Sequence, residues 1–406
     1  MERTHLLRLI KQFKVKAPPG SKPFPVFEVR GGPVEFRHLS LDLSESQPPE
    51  EGKKAPPGIL AQAADGGSGD ESRRDRVIVR DSLVEGCYES GLTLGRVNGA
   101  RVEASRFERC RNGIQVASSR DVVVDAVTAT ENRRHGIGFR FSHEWHVHNC
   151  LAKGNGGKET DQDKLRGWGI VAGGGPEDPA PIPNSDFTIT NNICEDNYAG
   201  GITLDPTLAV DPAKVVEQRA RVSGNVCRGR RGGKDLGGDF PFGSHGIQVR
   251  NSSDVVVTDN LCHQNNNSGI QVVNCSHLLV QANACFGNLN GIGLFSREDL
   301  KNPGPLVIGV NMLYDNKHDL KQGDFHRTPT SPLTALPGLR LYGLHGNEEP
   351  NGRLRANPGT LFEWHDDPDK SDDGKGALYV KERGSDETGW VKVAGHLEDP
   401  GHGRTK

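Results

Sequence analysis

Residues 245–250 read HGIQVR, residues 268–273 SGIQVV and residues 290–295 NGIGLF. Variants of the same phrase occur at Gly91 (GLTL), Gly113 (GIQV), Gly136 (GIGF), Gly169 (GIVA) and Gly201 (GITL). Subtracting successive glycine positions gives steps of 22, 23, 33, 32, 45, 23 and 22. A basic period of roughly 22 residues is that of one coil of a parallel β-solenoid, whose repeats bury their apolar faces only by stacking on one another. The three long steps all fall between Gly136 and Gly246. Long loops on a rigid scaffold are where binding residues concentrate, so this stretch is the place to look for function.

Outward from the phrase, each coil carries a second strand: VVVDAV (122–127), WHVHNC (145–150), FTITNN (187–192), VVVTDN (255–260) and LLVQAN (278–283). Alternation turns Val122, Val124, Phe187, Ile189, Val255 and Val257 inward. A polar rung follows at Asn192, Asn260 and Asn283, with Asn225 matching if Ala220 opens its strand. Stacked amides of this kind hydrogen-bond along an axis, and the structural reading of these asparagines is the strong one. Cys194, Cys227, Cys262 and Cys285 each lie two positions after such an asparagine. They read as a stack of buried free thiols rather than a disulfide ladder, and no C-x-x-C spacing suggests a metal or redox centre.

A chain of 406 residues would by default form two or three domains, but a solenoid grows in one dimension and overrides that expectation. Fifty-two glycines against 6% aromatic residues suit short strands joined by tight bends. A net charge of −3 offers no basic excess for a phosphate backbone, so nucleic acid is not an expected partner. No apolar run is long enough to span a bilayer, and residues 1–20 do not read as a signal peptide. Residues 5–13 (HLLRLIKQF) suggest a short amphipathic helix capping the solenoid within a lead-in of 1–23. The β-helix is expected over 24–315, with 44–76 as a Pro-, Gly- and acid-rich loop or disordered insertion rather than a coil. A linker (316–349), a small β-hairpin module (350–396) and a flexible tail (397–406) would follow. Trp390 in that module reads as a core aromatic before a sugar platform.

The short regular coils, the asparagine rung and the Gly-Ile phrase resemble the right-handed parallel β-helix, or pectate-lyase-like, superfamily. That resemblance implies an all-β, right-handed parallel β-helix, a scaffold that hosts lyases, hydrolases, epimerases, phage tailspikes and non-catalytic repeats. A second resemblance lies in PNGRLRANPGTLFEW (350–364) and GALYVKERGSDETGWVKV (376–393). These are similar to the C-terminal module of phage tail and tailspike-like proteins, which implies a virion-associated or extracellular setting. If the likeness extends to assembly, a homotrimer follows.

Four insertions, approximately 153–167, 173–186, 205–219 and 228–244, flank the outer face of the Gly-Ile strands. A face walled from both sides suits an extended polymer. With Ile inward, the floor reads His135, Gly138, Arg140; Trp168, Val171, Gly173; Gly200, Thr203, Asp205; and His245, Gln248, Arg250. The equivalent sites Ser90, Thr93, Gly95 and Ser268, Gln271, Val273 read as bland. Asp205 with Arg250 competes with a plain surface ion pair, and Trp168 with a loop-base cover. His146 and His148 read as surface on the second strand. Asp161, Asp163, Asp235 and Asp239 lie in the walls, where they could line the polymer or hold Ca²⁺ through oxygen ligands.

β-Elimination or C5 epimerisation of a uronate needs a cation on the sugar carboxylate, a base and an acid. Arg250 or Arg140 supplies the first, His245 or His135 the others, beside Asp205. Asp205-Pro206 resembles the Asp-Pro ending a coil strand in the alginate C5-epimerase and lyase branch, with a departure at Thr207-Leu208, where that branch has His-Asp. Inverting hydrolysis of polygalacturonase type would need a second carboxylate from the wall acids. A tailspike-like protein that binds glycan without turnover stays as the alternative from another class. Polysaccharide is the expected partner, and no cofactor beyond Ca²⁺ is suggested.

Overall fold

In a computed structural model, residues 7–9, 13–16, 27–30, 33–45, 56–62, 76–156, 167–173, 184–206, 215–229, 244–296, 306–324, 361–365, 376–381 and 390–395 are described. The chain winds repeatedly through three parallel sheets of eleven strands each, here called A, B and C in the order a coil visits them. The coil pitch follows from the sequence: three short strands and three bends fill the plain step from one Gly-Ile phrase to the next. Sheet C contains the Gly-Ile phrases, from Ser90–Gly95 through Asn290–Ser296. In the phrase the glycine is obligatory for packing. A Cβ at Gly113, Gly136, Gly169, Gly201, Gly246 or Gly269 would lie 2.4 to 2.8 Å from the glycine carbonyl of the next coil.

Between the sheets runs one continuous apolar core. Val122, Val124, Phe187, Ile189, Val255 and Val257 are all buried, as alternation requires. Trp145 stacks between Phe139 and Phe187 with ring centroids 3.9 and 4.1 Å away, a column of near-parallel aromatic rings inside the core. The expected asparagine rung continues over five coils, Asn192, Asn225, Asn260, Asn283 and Asn311. Each Nδ2 up to Asn283 donates to the next Oδ1 at 2.9 to 3.0 Å. Parallel ladders run through Asn132, Asn155 and Asn197, and through Asn265, Asn288 and Asn316, at the bend between sheets B and C. All eight cysteines are free and buried, and Cys194, Cys227, Cys262 and Cys285 occupy one register position on successive coils.

The boundaries differ from the sequence expectation in several places. Where a capping helix was expected over 5–13, Leu7–Leu9 is a strand paired with Val34–Phe36, and Phe13 opens a strand paired with Leu39–Asp42. The open ladder edge of the next coil binds backbone amides more strongly than local helical periodicity holds so short a segment. Within 44–76, Ile59–Gln62 forms a sheet C strand between Phe27–Arg30 and the Ser90 strand, with Ile59 and Ala61 buried. Its surrounding Pro, Gly and acidic residues hid that brief alternation. At the other end, His318–Asp324 is the last sheet C strand rather than linker. Strands Leu361–His365, Gly376–Lys381 and Trp390–Gly395 form a separate three-stranded antiparallel sheet. The tail 397–406 lies outside the described residues. No helix among the described residues is long and apolar enough to cross a membrane.

Candidate functional site

The inserted stretches leave and rejoin the coils at both edges of sheet C. On the sheet B side the described chain stops at Gly156 and Gly229 and resumes at Gly167 and Ser244. On the sheet A side it stops at Gly173 and Pro206 and resumes at Asn184 and Val215. Asp161, Asp163, Asp235 and Asp239 fall between these points, outside the described residues. No cluster of three or more metal-ligating side chains occurs among the described residues.

Three parallel rows cross the outer face of sheet C at this level. The first runs Trp168, Gly200, His245, and the second Val171, Thr203, Gln248, Gln271. The third contains Gly173 and Asp205 on one coil pair and Arg250 and Val273 on the next. Second-row positions on the early plain coils, Thr93 and Gln115, stay half-buried. Here Thr203, Asp205, His245 and Gln248 are buried, with at most 6% of each exposed. Polar groups on the outside of a coil that are nonetheless withdrawn from water need partners, and the partners are only partly present.

Asp205 ends its strand because Pro206 cannot donate to the ladder. Its Oδ2 lies 3.5 Å from Arg250 Nη1 on the following coil. The carboxylate is 6% exposed and the guanidinium 32%, so this is a half-desolvated pair rather than a surface one. Arg250 Nε is buried with no hydrogen-bond partner among the described residues. Thr203 Oγ1 donates to Gln248 Oε1 at 3.3 Å, and Gln248 Nε2 donates to Gln271 Oε1 at 2.6 Å. This chain of hydrogen bonds runs along the solenoid axis.

His245 is 1% exposed and neither ring nitrogen has a hydrogen-bond partner among the described residues. Burial, reinforced by the Arg250 charge, holds its pKa down at about 3, so the imidazole is neutral at ordinary pH. Its ring lies nearly parallel to Trp168, 9° apart with centroids at 6.4 Å. The two residues sit on alternate coils and meet across Gly200, whose φ is +149°. A Cβ there would lie 2.4 Å from Trp168 Cζ3 and 2.3 Å from the His245 carbonyl.

Of the residues singled out in the sequence, the structure brings together Trp168, Thr203, Asp205, His245, Gln248 and Arg250. His135 sits one strand before Trp168 and accepts that residue's N–H on Nδ1 at 3.3 Å, a positioning contact. Arg140 is two strands from Asp205 with Gly173 between. His146 and His148 lie on sheet A, where they contact Thr188 at 2.8 Å and Asp125 at 3.0 Å. Ser268 and Gln271, bland in the sequence, and Asn290, which no motif singles out, belong to the same face. All three are buried. Their signal was the recurrence of Gln in GIQV and of Ser or Asn before the glycine, which reads equally well as a mark of the period.

The model of the right-handed β-helix region matches residues 61–176 and 213–320, more than half of the chain. The chain belongs to the right-handed β-helix family. Among solved β-helix structures, a periplasmic alginate epimerase is similar over 76% of this chain and 69% of its own, at 15% identity and a TM-score of 0.53. A tailspike mutant of E. coli bacteriophage HK620, solved in complex with pentasaccharide, is similar over 88% of this chain at 10% identity and a TM-score of 0.52. The aligned part is 64% of that tailspike, less than two thirds of its length. An alginate lyase from Paenibacillus sp. aligns with 66% of this chain and 93% of its own at 17% identity and a TM-score of 0.47. At these identities the likeness is one of fold. None of the curated proteins matches the sequence.

Proposed function

We propose that this β-helix protein binds an acidic polysaccharide across the outer face of sheet C and acts on it by β-elimination or C5 epimerisation. The observation that carries the reading is the half-desolvated Asp205–Arg250 pair, whose arginine shares a strand with a buried His245. That ring feels the Arg250 charge and has no hydrogen-bond partner among the described residues. A uronate carboxylate seated on Arg250 would meet a fixed cation in a site shielded from water, where such contacts are stronger than in solvent. It would also offset the charge that, with burial, keeps His245 deprotonated, making the imidazole a better acceptor for the proton beside the carboxylate. Asp205 would hold Arg250 in place and, once the carboxylate competes for the guanidinium, serve the opposite side of the reacting carbon. Trp168 would pack on the sugar face, and Thr203 and Gln248 on its hydroxyls. The alginate epimerase among the fold neighbours supports a uronate as the substrate class, and a virion-borne setting agrees with the tailspike neighbour.

Incubation with uronate polymers tests this directly. Elimination gives absorbance from the unsaturated product, and epimerisation gives exchange of the C5 proton with solvent. Asp205→Asn and His245→Gln should each lower either rate roughly a hundred- to ten-thousand-fold. A second reading rests on the low basicity of His245: glycan is held without turnover, as a receptor-binding tailspike would hold it. Under it, both assays stay silent while glycan binding survives the Asp205 and His245 substitutions.

A further inference from the structure

We infer that Asn290, two coils beyond His245, receives a sugar hydroxyl, so that the site takes a glycan of about four or more units laid along the solenoid axis. The inference rests on the polysaccharide reading above and extends it to a second subsite.

The chain uses one Ser–Asn pair twice on the outer face of sheet C. On early coils Asn112 pairs with Ser90 and donates to its Oγ at 3.3 Å. The Asn112 carbonyl is then closed by the backbone N–H of His135 at 3.4 Å. On late coils Asn290 pairs with Ser268 and donates to its Oγ at 3.2 Å, and to Asn267 Oδ1 at 3.2 Å. Ser268 spends its own proton on Asn267 Oδ1. Both groups facing Asn290 therefore require a donor, and this sets the amide with Nδ2 toward them and Oδ1 away. The residue that should close Oδ1 is His318, in register on the next strand, but its backbone N–H donates to the Leu289 carbonyl instead. Asn290 is 3% exposed and its Oδ1 has no hydrogen-bond partner among the described residues.

A buried acceptor without a donor is destabilising unless something supplies one. Asn290 stands in the same outward row as His245 and Ser268. Two strand spacings separate it from His245, about 9–10 Å along the axis, close to the advance of two pyranose rings. Gln248 and Gln271, joined to each other, line the interval in the neighbouring row. The orphan atoms of His245 and Asn290 thus lie in one axial row, with Arg250 at the other end of the His245 strand.

The test is calorimetric titration of the full chain with alginate oligomers from dimer to hexamer. Wild-type affinity is expected to climb with length up to about the tetramer and then level. Asn290→Ala should weaken tetramer and longer oligomers about five- to tenfold, the worth of one hydrogen bond, and leave the dimer unchanged. Asn112→Ala, which removes the same packing where the carbonyl is already closed, should change no oligomer. A wild-type profile already flat at the dimer overturns the subsite, and this readout survives even if the variant fails to fold. So does an Asn290→Ala effect that is equal at every length or absent, as a water-filled acceptor would give. Length-dependent binding without turnover in any uronate assay would leave the subsite standing and remove only the catalytic reading.

Discussion

His245 and Gly200 are the residues on which the site turns. The folded state holds the His245 pKa at about 3, below the 6.5 of an unperturbed imidazole. The unfolded chain therefore binds the extra proton first. Stability from this residue is fully present above about pH 6.5 and falls as pH drops toward 3, by up to about 1.4 kcal/mol per pH unit. Urea unfolding across this range should show a steeper acid loss in the wild type than in His245→Phe. Equal slopes would mean that the ring is solvated. At Gly200, alanine would press on Trp168 and the His245 carbonyl from a backbone φ of +149°. Gly200→Ala should cost roughly 1–3 kcal/mol and shift the Trp168 emission, with weaker glycan binding. Unchanged emission would show that the stacked pair does not depend on this glycine.

At the scale of elements, the ladders between sheets decide how strictly the coils stay in register. Asn225 lies in the middle of the longest one: its Nδ2 donates to the Ile189 carbonyl and to Asn260 Oδ1, both at 2.9 Å. Its own Oδ1 accepts from Asn192. Asn225→Leu keeps the volume but strands donors and acceptors on three coils, at about 1–3 kcal/mol for each buried group left unpaired. A drop in thermal midpoint well beyond that of Asn149→Leu, an exposed bend residue, would be the expected outcome of scanning calorimetry. The ladders at the bend between sheets B and C have described members at Asn197 and Asn265, on the coils either side of the His245 strand. The coil of that strand is the one whose chain leaves the described residues after Gly229.

Across the whole molecule, stability is that of a one-dimensional stack closed by a single interior. Each coil contacts its neighbours, so the interior thiols are shielded along the entire length. All eight are buried, and burial pushes Cys150 and Cys275 up to about 12. A thiol reagent should label none of the eight in the native protein at neutral pH and all of them in denaturant, with no change in thermal midpoint on adding reductant. Rapid native labelling of even one thiol would contradict the closed stack.

The spacing of eight Gly-Ile phrases was enough to establish a parallel β-helix. A coil that must close at the same short interval, with a glycine wherever two carbonyl-lined bends touch, leaves a periodic trace that does not depend on distant contacts. The inward valines, the asparagine rung and the cysteine stack are local consequences of the same period. The short strand at Ile59 was invisible because so brief an alternation has no periodicity of its own until a neighbouring coil pairs with it. The Asp205–Arg250–His245 neighbourhood was foreseeable from register. That His245 is neutral and unpartnered, and that Trp168 reaches it over Gly200, was not. Nor could the sequence distinguish Asn290 from Asn112, since both follow the same Ser-to-Asn pattern. Only the tertiary structure separates them, because a hydrogen bond is a matter of where one backbone N–H points, and the strand after Asn290 turns its N–H elsewhere.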